Sequence, residues 1–403
     1  MSLALAQARV DRAVAGRAPP SGAAPGLEVR VVRTIGDVDP AEWDALLGAD
    51  DLQATHRFIR TCEEAQVEHA QYRHVLVHDG AGLAAVASFS LMKVKLDLLS
   101  TGLVRAAIRG ARRLRAGFLE VPVVFGGLPV SFGRSCLRLR ADAAREPVLR
   151  ALAAEAEGFA AEAGASIICF KEFTGEEAAG LEPLARLGYF AAPSLPSCRL
   201  ELPWRSAEEW LGAMRSGYRH QIEAGARRGR AAGTTVRVVG DFRGECPRIF
   251  GLYEQVMDRA PFQLERLPLA FFERLAANFA SEARAILVER GDRLLATAIL
   301  LRSAGLMTFL LAGIDYPENR SHHAYLNVVA EVVAEAIRSG APALEMGQTS
   351  YEPKRRLGAA VTPRTLFLRW RSPPGHRLLR LASPLLFPVP RLEPRRVFRQ
   401  ATA

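Results

Sequence analysis

The stretch LEMGQTSYEPKRRLGA, residues 344–359, gathers reactive side chains at close spacing. Leu344 and Met346 alternate with Glu345, as on a strand, and Gly347 ends the run. Gln348, Thr349, Ser350, Tyr351, Glu352 and Lys354 follow. An apolar strand opening into a polar loop is where open α/β sheets hold ligands. Lys354 stands out on composition. The chain has 53 basic residues, of which only Lys93, Lys95, Lys171 and Lys354 are lysines. An amine is a compact, rotatable donor whose pKa can move, which a guanidinium is not. The alternative is a surface lysine beside Arg355 and Arg356.

The elements that must position these residues come in two similar sets. LEVRVVRTI (27–35) alternates as a strand, Pro40 starts a short helix, and Thr55 caps another. YRHVLVHDGAGLAAVASFSLMKV then reads as a hairpin turning at Asp79-Gly80. VPVVFGGLPV (121–130), a long Ala-rich helix (142–164), the buried strand ASIICFKEF and a helix over 176–187 follow. FAAPSLPSCRLELPW leads out of the first half. The second half has helices, the strand TTVRVV, helices at about 247–260 and 268–280, and a three-strand meander. HAYLNVVAEVVAEAIRSG is a long helix stopped at Gly340, and TLFLRWR (365–371) is a last strand. The two hairpins match in pattern, and each is preceded by a helix with aromatic residues on one face. Each is followed by a long helix ending in Gly, then a strand and a polar loop. Lys171 and Lys354 are both expected just past those strands. This is an internal repeat of one α/β unit.

At 403 residues the length suits about two domains. A net charge of +10 favours acidic partners, although the scarcity of Lys points to a general Arg bias. Cys62, Cys136, Cys169, Cys198 and Cys246 are scattered, without CxxC or Cys/His pairing. That excludes a disulfide framework or zinc site, and no metal is expected. With no apolar h-region or membrane-length run, a cytoplasmic location is expected. Residues 1–26 are expected to be disordered. Residues 96–118 form a basic amphipathic pattern, with Leu99, Leu103 and Leu114 on one side and Arg105, Arg109, Arg112 and Arg113 on the other. It suits a membrane surface or packing on its own domain. Residues 372–403 are a basic tail, not expected to be one helix because Pro384, Pro388 and Pro390 interrupt it.

The element order resembles the GNAT acyltransferase fold in tandem, as in the FemAB-like or BioF2-like acetyltransferase group. YRHQIEAGARRGRAAG, AGID with HAYLNVVAEVVAEAIRSG, and LEMGQTSYEPKRRLGA carry the resemblance. It implies an α/β (α+β) fold of two tandem lobes, 27–204 and 205–371, each a mixed, mainly antiparallel sheet flanked by helices. It also implies an N-acyltransferase that moves an acyl or aminoacyl group from an activated donor to an amine. The donor is acyl-CoA, a carrier-protein thioester or aminoacyl-tRNA, with no tightly bound cofactor. Such a reaction needs a base for the amine, a stabilised oxyanion and a proton for the leaving group. Glu345 or Glu352 serves as base, Tyr351 as acid and Lys354 as cation. His323 serves as base or phosphate contact. Gln348, Thr349, Ser350, Asp315 and Tyr316 are assigned to substrate, and Arg219, Arg227, Arg228, Arg320 and His322 to donor phosphates or a tRNA or carrier-protein contact. The acceptor is an amine-bearing small molecule or peptide. One departure is clear: GNAT enzymes carry a Gly-rich phosphate turn before the long helix, and here DYPENRSHHAYL has no glycine. The competing expectation is an inactive GNAT-like binding protein that acts on a membrane surface or nucleic acid through its basic patches.

Overall fold

The computed structural model describes residues 26–95, 110, 120–130, 132–260, 264–322, 324–390, 392–393 and 395–399. The expected disorder at the N-terminus, the amphipathic segment 96–118 (apart from Gly110) and His323 lie outside the described residues. The first half comprises β1 (Glu28–Val32), α1 (Pro40–Asp44), α2 (His56–Glu64), β2 (Gln71–Asp79), β3 (Gly82–Lys95), β4 (Glu120–Gly126) and β5 (Leu137–Leu139). It continues through α3 (Arg145–Glu162), β6 (Ile167–Phe173), α4 (Gly175–Gly180), α5 (Pro183–Arg186) and β7 (Phe190–Glu201). The second half comprises α6 (Ala207–Ala213), α7 (Ser216–Ala231), β8 (Thr235–Val239), α8 (Cys246–Arg259), α9 (Leu269–Asn278), β9 (Ala283–Arg290), β10 (Arg293–Arg302) and β11 (Met307–Ile314). After it come α10 (Tyr316–His322), α11 (Ala324–Arg338), β12 (Ala343–Glu345), α12 (Tyr351–Arg356), β13 (Ala360–Trp370) and α13 (Pro373–Leu386).

All the strands join one sheet in the order β1-β2-β3-β4-β6-β13-β7-β12-β11-β10-β9-β8, with β5 beside β3. Read from either end, the pairing is the same: three antiparallel steps, one parallel step (β4 with β6, β11 with β12), then antiparallel. The sheet is continuous and still pseudo-symmetric. Its centre is the antiparallel pair β13 and β7, and each half has passed its last strand to the other. The hairpins agree residue by residue. Asp79 faces Gly82 and His78 faces Leu83, then a bulge skips Ala84 so that Val77 faces Ala85. Arg290 faces Arg293 and Glu289 faces Leu294, then a bulge skips Leu295 so that Val288 faces Ala296. Two bulges at one distance from two turns mark a duplicated unit.

The long helices α3 and α11 fill the parallel crossovers, and each is followed by a left-handed glycine, Gly164 or Gly340. They cover the first-half cluster around Phe89, Leu152 and Phe170 and the second-half cluster around Leu295, Val332 and Leu344. A third cluster joins α1, α2 and the segment 127–136 to α8 and α9, so the halves share a core. Within it Phe58 packs edge-on to Phe132, Phe271 and Phe279.

Several expectations are corrected. FAAPSLPSCRLELPW is a central strand, β7, not an exit segment. Its Pro193 and Pro196 lack N–H groups, but β12 pairs only with residues 199–201, so that stretch needs few donors on that side. The helix over 176–187 is two short helices. Lys171 lies within β6, whereas Lys354 lies on α12. The tail is not one helix, as expected, but Pro384 does not break it: α13 runs through Pro384 and ends at Leu386, ahead of Pro388 and Pro390. Pro384 offers no N–H to the Arg380 carbonyl, and the Ser383 hydroxyl donates to that oxygen instead, at 2.9 Å.

Candidate functional site

The parallel pair β11 and β12 opens into a wedge. Met307 faces Leu344 and Thr308 faces Glu345, and there the pairing stops. β11 runs on to Ile314 paired with β10 alone, past a bulge at Leu310. Leu311 and Ala312 are half-buried in a strand otherwise mostly buried. A strand edge left open this way can pair with an extended, amide-bearing ligand.

At the foot of the wedge sits Glu345, 2 % exposed. The Ser197 hydroxyl donates to its carboxylate, and Arg364 Nη2 lies 3.8 Å from it. Both come from the exchanged strands, Ser197 from β7 and Arg364 from β13. Arg364 also donates through Nε to the Gly133 carbonyl at 2.6 Å. Gly133 has φ 77°, and a Cβ there would lie 3.1 Å from Ser197 Oγ, so only glycine fits without displacing that hydroxyl. Across the centre lie Lys171 and Glu172, both buried. Burial raises the Glu172 carboxyl, against the pull of Lys171, Arg364 and a Gly133 N–H. Glu172 adopts φ 72°, a strained position for a non-glycine residue. Lys171 Nζ has no hydrogen-bond partner.

Sequence reasoning missed Ser197, Arg364 and Glu172 as site residues. A local signal was present only for Glu172, charged beside Lys171 in the otherwise apolar IICFKEF; Ser197 and Arg364 sit in strands with several other polar residues. Only the strand exchange, which no local pattern encodes, brings Ser197 and Arg364 to Glu345.

Lys354 is 5 % exposed, so it is no surface lysine. Its Nζ donates to three carbonyls: Gly347 at 3.4 Å, Gln348 at 2.9 Å and Thr349 at 2.9 Å. That engages all three protons and holds the loop after β12, where Thr349 and Ser350 have φ 60° and 44°. Burial pushes the ammonium pKa down to about 8. Gln348 Nε2 donates to the Leu195 carbonyl at 2.6 Å, while Thr349 and Ser350 are exposed. The Tyr351 hydroxyl donates to the Pro196 carbonyl at 3.2 Å, and burial raises it to about 12. Glu352, at the helix start, pairs with Arg355, Arg356 and Arg395 and lies away from Glu345's cluster.

Asp315 is held by Arg293 through Nε at 3.0 Å and Nη2 at 2.7 Å. Tyr316 lies under the Arg259 guanidinium at 4.4 Å. α10 occupies the place of the Gly-rich turn, and the Tyr325 N–H at the start of α11 donates to Asn319 Oδ1 at 2.9 Å. The side chains of Arg320 and His322 lie outside the described residues. α7 packs on α11 at Gly225, where a Cβ would lie 2.9 Å from Leu326 Cδ2. Its Arg227 and Arg228 are exposed, and Arg219 is half-buried with Nε 3.9 Å from Glu223.

Among the described residues no group of three or more His, Cys, Asp or Glu is placed to hold a metal, and no helix is long and apolar enough to cross a membrane. A first-half cleft lined by Glu63, Tyr72, Arg73 and Glu162 is a weaker candidate. There Glu63 accepts from the Ile35 N–H, Thr34 and His74, and Arg73 pairs with Glu162.

Residues 216–355 match the Acetyltransferase (GNAT) domain family. Among solved structures, FemX aligns over 87 % of this chain and 99 % of its own at 13 % identity, with a TM-score of 0.54. A tandem GNAT protein from the clavulanic acid biosynthesis pathway aligns over 86 % and 99 % at 12 % identity, TM-score 0.52. The C-terminal domain of a putative lysylphosphatidylglycerol synthetase from Agrobacterium fabrum aligns over 89 % and 99 % at 12 % identity, TM-score 0.50. No curated protein sequence matches the chain. The fold is a tandem GNAT fold similar to that of FemX, and the second half is an acyltransferase domain of the GNAT type.

Proposed function

We propose that the protein is an N-acyltransferase whose chemistry takes place in the β11–β12 wedge. The observation that carries this reading is the buried Glu345–Ser197–Arg364 cluster at the foot of an open strand edge. The amide-bearing arm of an acyl donor lies along β11, and its carbonyl reaches the cluster. The amine attacks that carbonyl, and its proton passes to Glu345 through the Ser197 hydroxyl. The C–S or C–O bond to the donor breaks, and Tyr351, neutral at ordinary pH, returns a proton to the leaving group. N–H groups on the open β11 edge face the developing oxyanion. Lys354 positions the loop that carries Gln348, Thr349 and Ser350 and does not itself meet the carbonyl.

The donor is a large one: a carrier protein, whose phosphopantetheine arm supplies the amides, or a tRNA, whose aminoacyl ester reaches the cluster without that pairing. The support is twofold. The first N–H groups of α11 are the usual place for a phosphate, yet Asn319 already caps the one on Tyr325. Exposed Arg227 and Arg228 flank the same helix. Fold likeness to a lysylphosphatidylglycerol synthetase domain keeps aminoacyl donors in the test set. The test incubates wild type and Glu345→Gln with an acyl-carrier protein, aminoacyl-tRNA, acetyl-CoA and a long-chain acyl-CoA, each with an amine-rich metabolite extract, and reads products by mass spectrometry. Donor-dependent acylation lost in Glu345→Gln is expected. A raised melting temperature with a donor, but no product from wild type, would favour a binding protein instead.

A further inference from the structure

Five large apolar side chains are strongly exposed among the described residues, and four sit together. Leu378 is 66 %, Leu381 80 %, Leu385 81 % and Val389 64 % exposed, while Val236 lies elsewhere at 43 %. The four belong to α13 and the turn after it. α13 docks through Leu379, with Leu386 and Phe387 packing behind it, onto a cluster that contains Met92, Val94, Val121 and Val123. Its opposite side therefore points a row of leucines outward. Arg377 and Arg380 flank that row, both exposed and with no ion pair among the described residues. No Asp or Glu occurs from Ser372 to Leu392.

We propose that this face of α13 seats on an anionic phospholipid surface, as a peripheral contact outside the acyl-transfer site. The pattern fits a helix lying in the plane of a membrane interface, with apolar side chains below and cations at headgroup level. Charge argues against a second copy of this chain as occupant. An isologous pairing would gather Arg377 and Arg380 of both copies at one contact with no carboxylate on either helix to offset them. The sequence adds continuity. Val94 and Val121, the strand residues that flank the basic amphipathic sequence 96–118 in the chain, lie in the cluster that α13 covers.

The experiment is vesicle co-sedimentation of the full chain. Vesicles are phosphatidylcholine alone or phosphatidylcholine mixed with phosphatidylglycerol. Wild type should pellet with the mixed vesicles, less so at high salt, and poorly with phosphatidylcholine alone. Leu381→Glu/Leu385→Glu should weaken partitioning at least about tenfold. Arg377→Gln/Arg380→Gln should weaken it about fivefold per charge. Both sites are exposed, so melting temperatures should hold; Leu378→Ser/Val389→Ser is the second pair if the first does not fold. Wild type that stays in the supernatant with mixed vesicles overturns the proposal. So does unchanged pelleting of the leucine variants, which would assign lipid binding to another segment. A dimer in lipid-free buffer that Leu381→Glu/Leu385→Glu dissolves also overturns it, in favour of a second copy.

Discussion

The two halves diverge most at the same place in the sheet. In the second half, Phe309 faces Leu300 and Ala312 faces Ala298, with only Leu310 and Leu311 between. In the first half, Gly126 faces Phe89 and Leu137 faces Ala87, with residues 127–136 between. A one-residue bulge at Leu310 in one copy is a ten-residue loop in the other. That loop puts Leu128, Val130 and Phe132 into the shared core and lays Gly127 against the Lys171 side chain. One wedge is open and the other is plugged with polypeptide. The plug does more than fill space, because its Gly133 carbonyl orients Arg364 toward Glu345. Under the function proposed above, one copy of the duplicated unit offers the open wedge and the other supplies part of that wedge's wall.

The comparison can be broken in several ways. Leu128→Ala should cost about 3 kcal/mol of stability while leaving donor affinity unchanged. Denaturant unfolding and donor titration measure the two; a large change in donor Kd would mean that the plugged side still binds donor. Glu345→Gln should lower turnover about a hundredfold, about 2.7 kcal/mol, with little change in melting temperature. Wild-type turnover in that folded variant would move the chemistry out of the open wedge. Lys354→Met should lower turnover about tenfold, about 1.4 kcal/mol, by loosening the loop after β12.

Lys354 also carries a pH signature. Its folded pKa of about 8 lies below the ordinary 10.5, so the unfolded chain binds more protons between those values. Stability of wild type relative to Lys354→Met should therefore rise with pH across that window, while turnover falls as the neutral amine loses one of its three N–H donors. Parallel curves for the two proteins would show that Lys354 does not titrate there. The smallest effect belongs to Asn319→Ala, which exposes the Tyr325 N–H. Free coenzyme A should bind about threefold more tightly in calorimetry, since one helix-end donor is a weak anion site. Tight coenzyme A binding by wild type, insensitive to salt, would instead show that no Gly-rich turn is needed.

Much of the fold was legible because it is local. Alternation marked β2, β3, β9 and β10, and glycines after α3 and α11 marked the crossovers. The repeat was visible because two hairpins share a pattern. FAAPSLPSCRLELPW reads only as leading out of the first half; its Pro193 and Pro196 obscure β7, and proline is excluded from a strand only where a ladder needs its N–H. The stretch 344–359 was picked out by residue type, and in the structure Glu345 and Lys354 are buried. What could not be read was which partners they meet. Glu345's partners arrive on strands from both halves, and Lys354's partners are backbone carbonyls, which leave no trace in side-chain identity.

The exchange of β7 and β13 has a consequence for how the chain reaches its native state. The first half cannot finish its own sheet: β6 waits for β13, whose pairing of Thr365 with Phe173 forms only when the end of the chain is available. During synthesis that delay is on the order of ten seconds or more, with a strand edge unpaired meanwhile. Such an edge invites aggregation or the help of a chaperone. A cut between β7 and α6 should therefore not release two independent domains. Each piece would carry a strand that belongs to the other, and the pieces should be soluble only when made together. Unfolding should be a single transition, with the whole molecule as its cooperative unit.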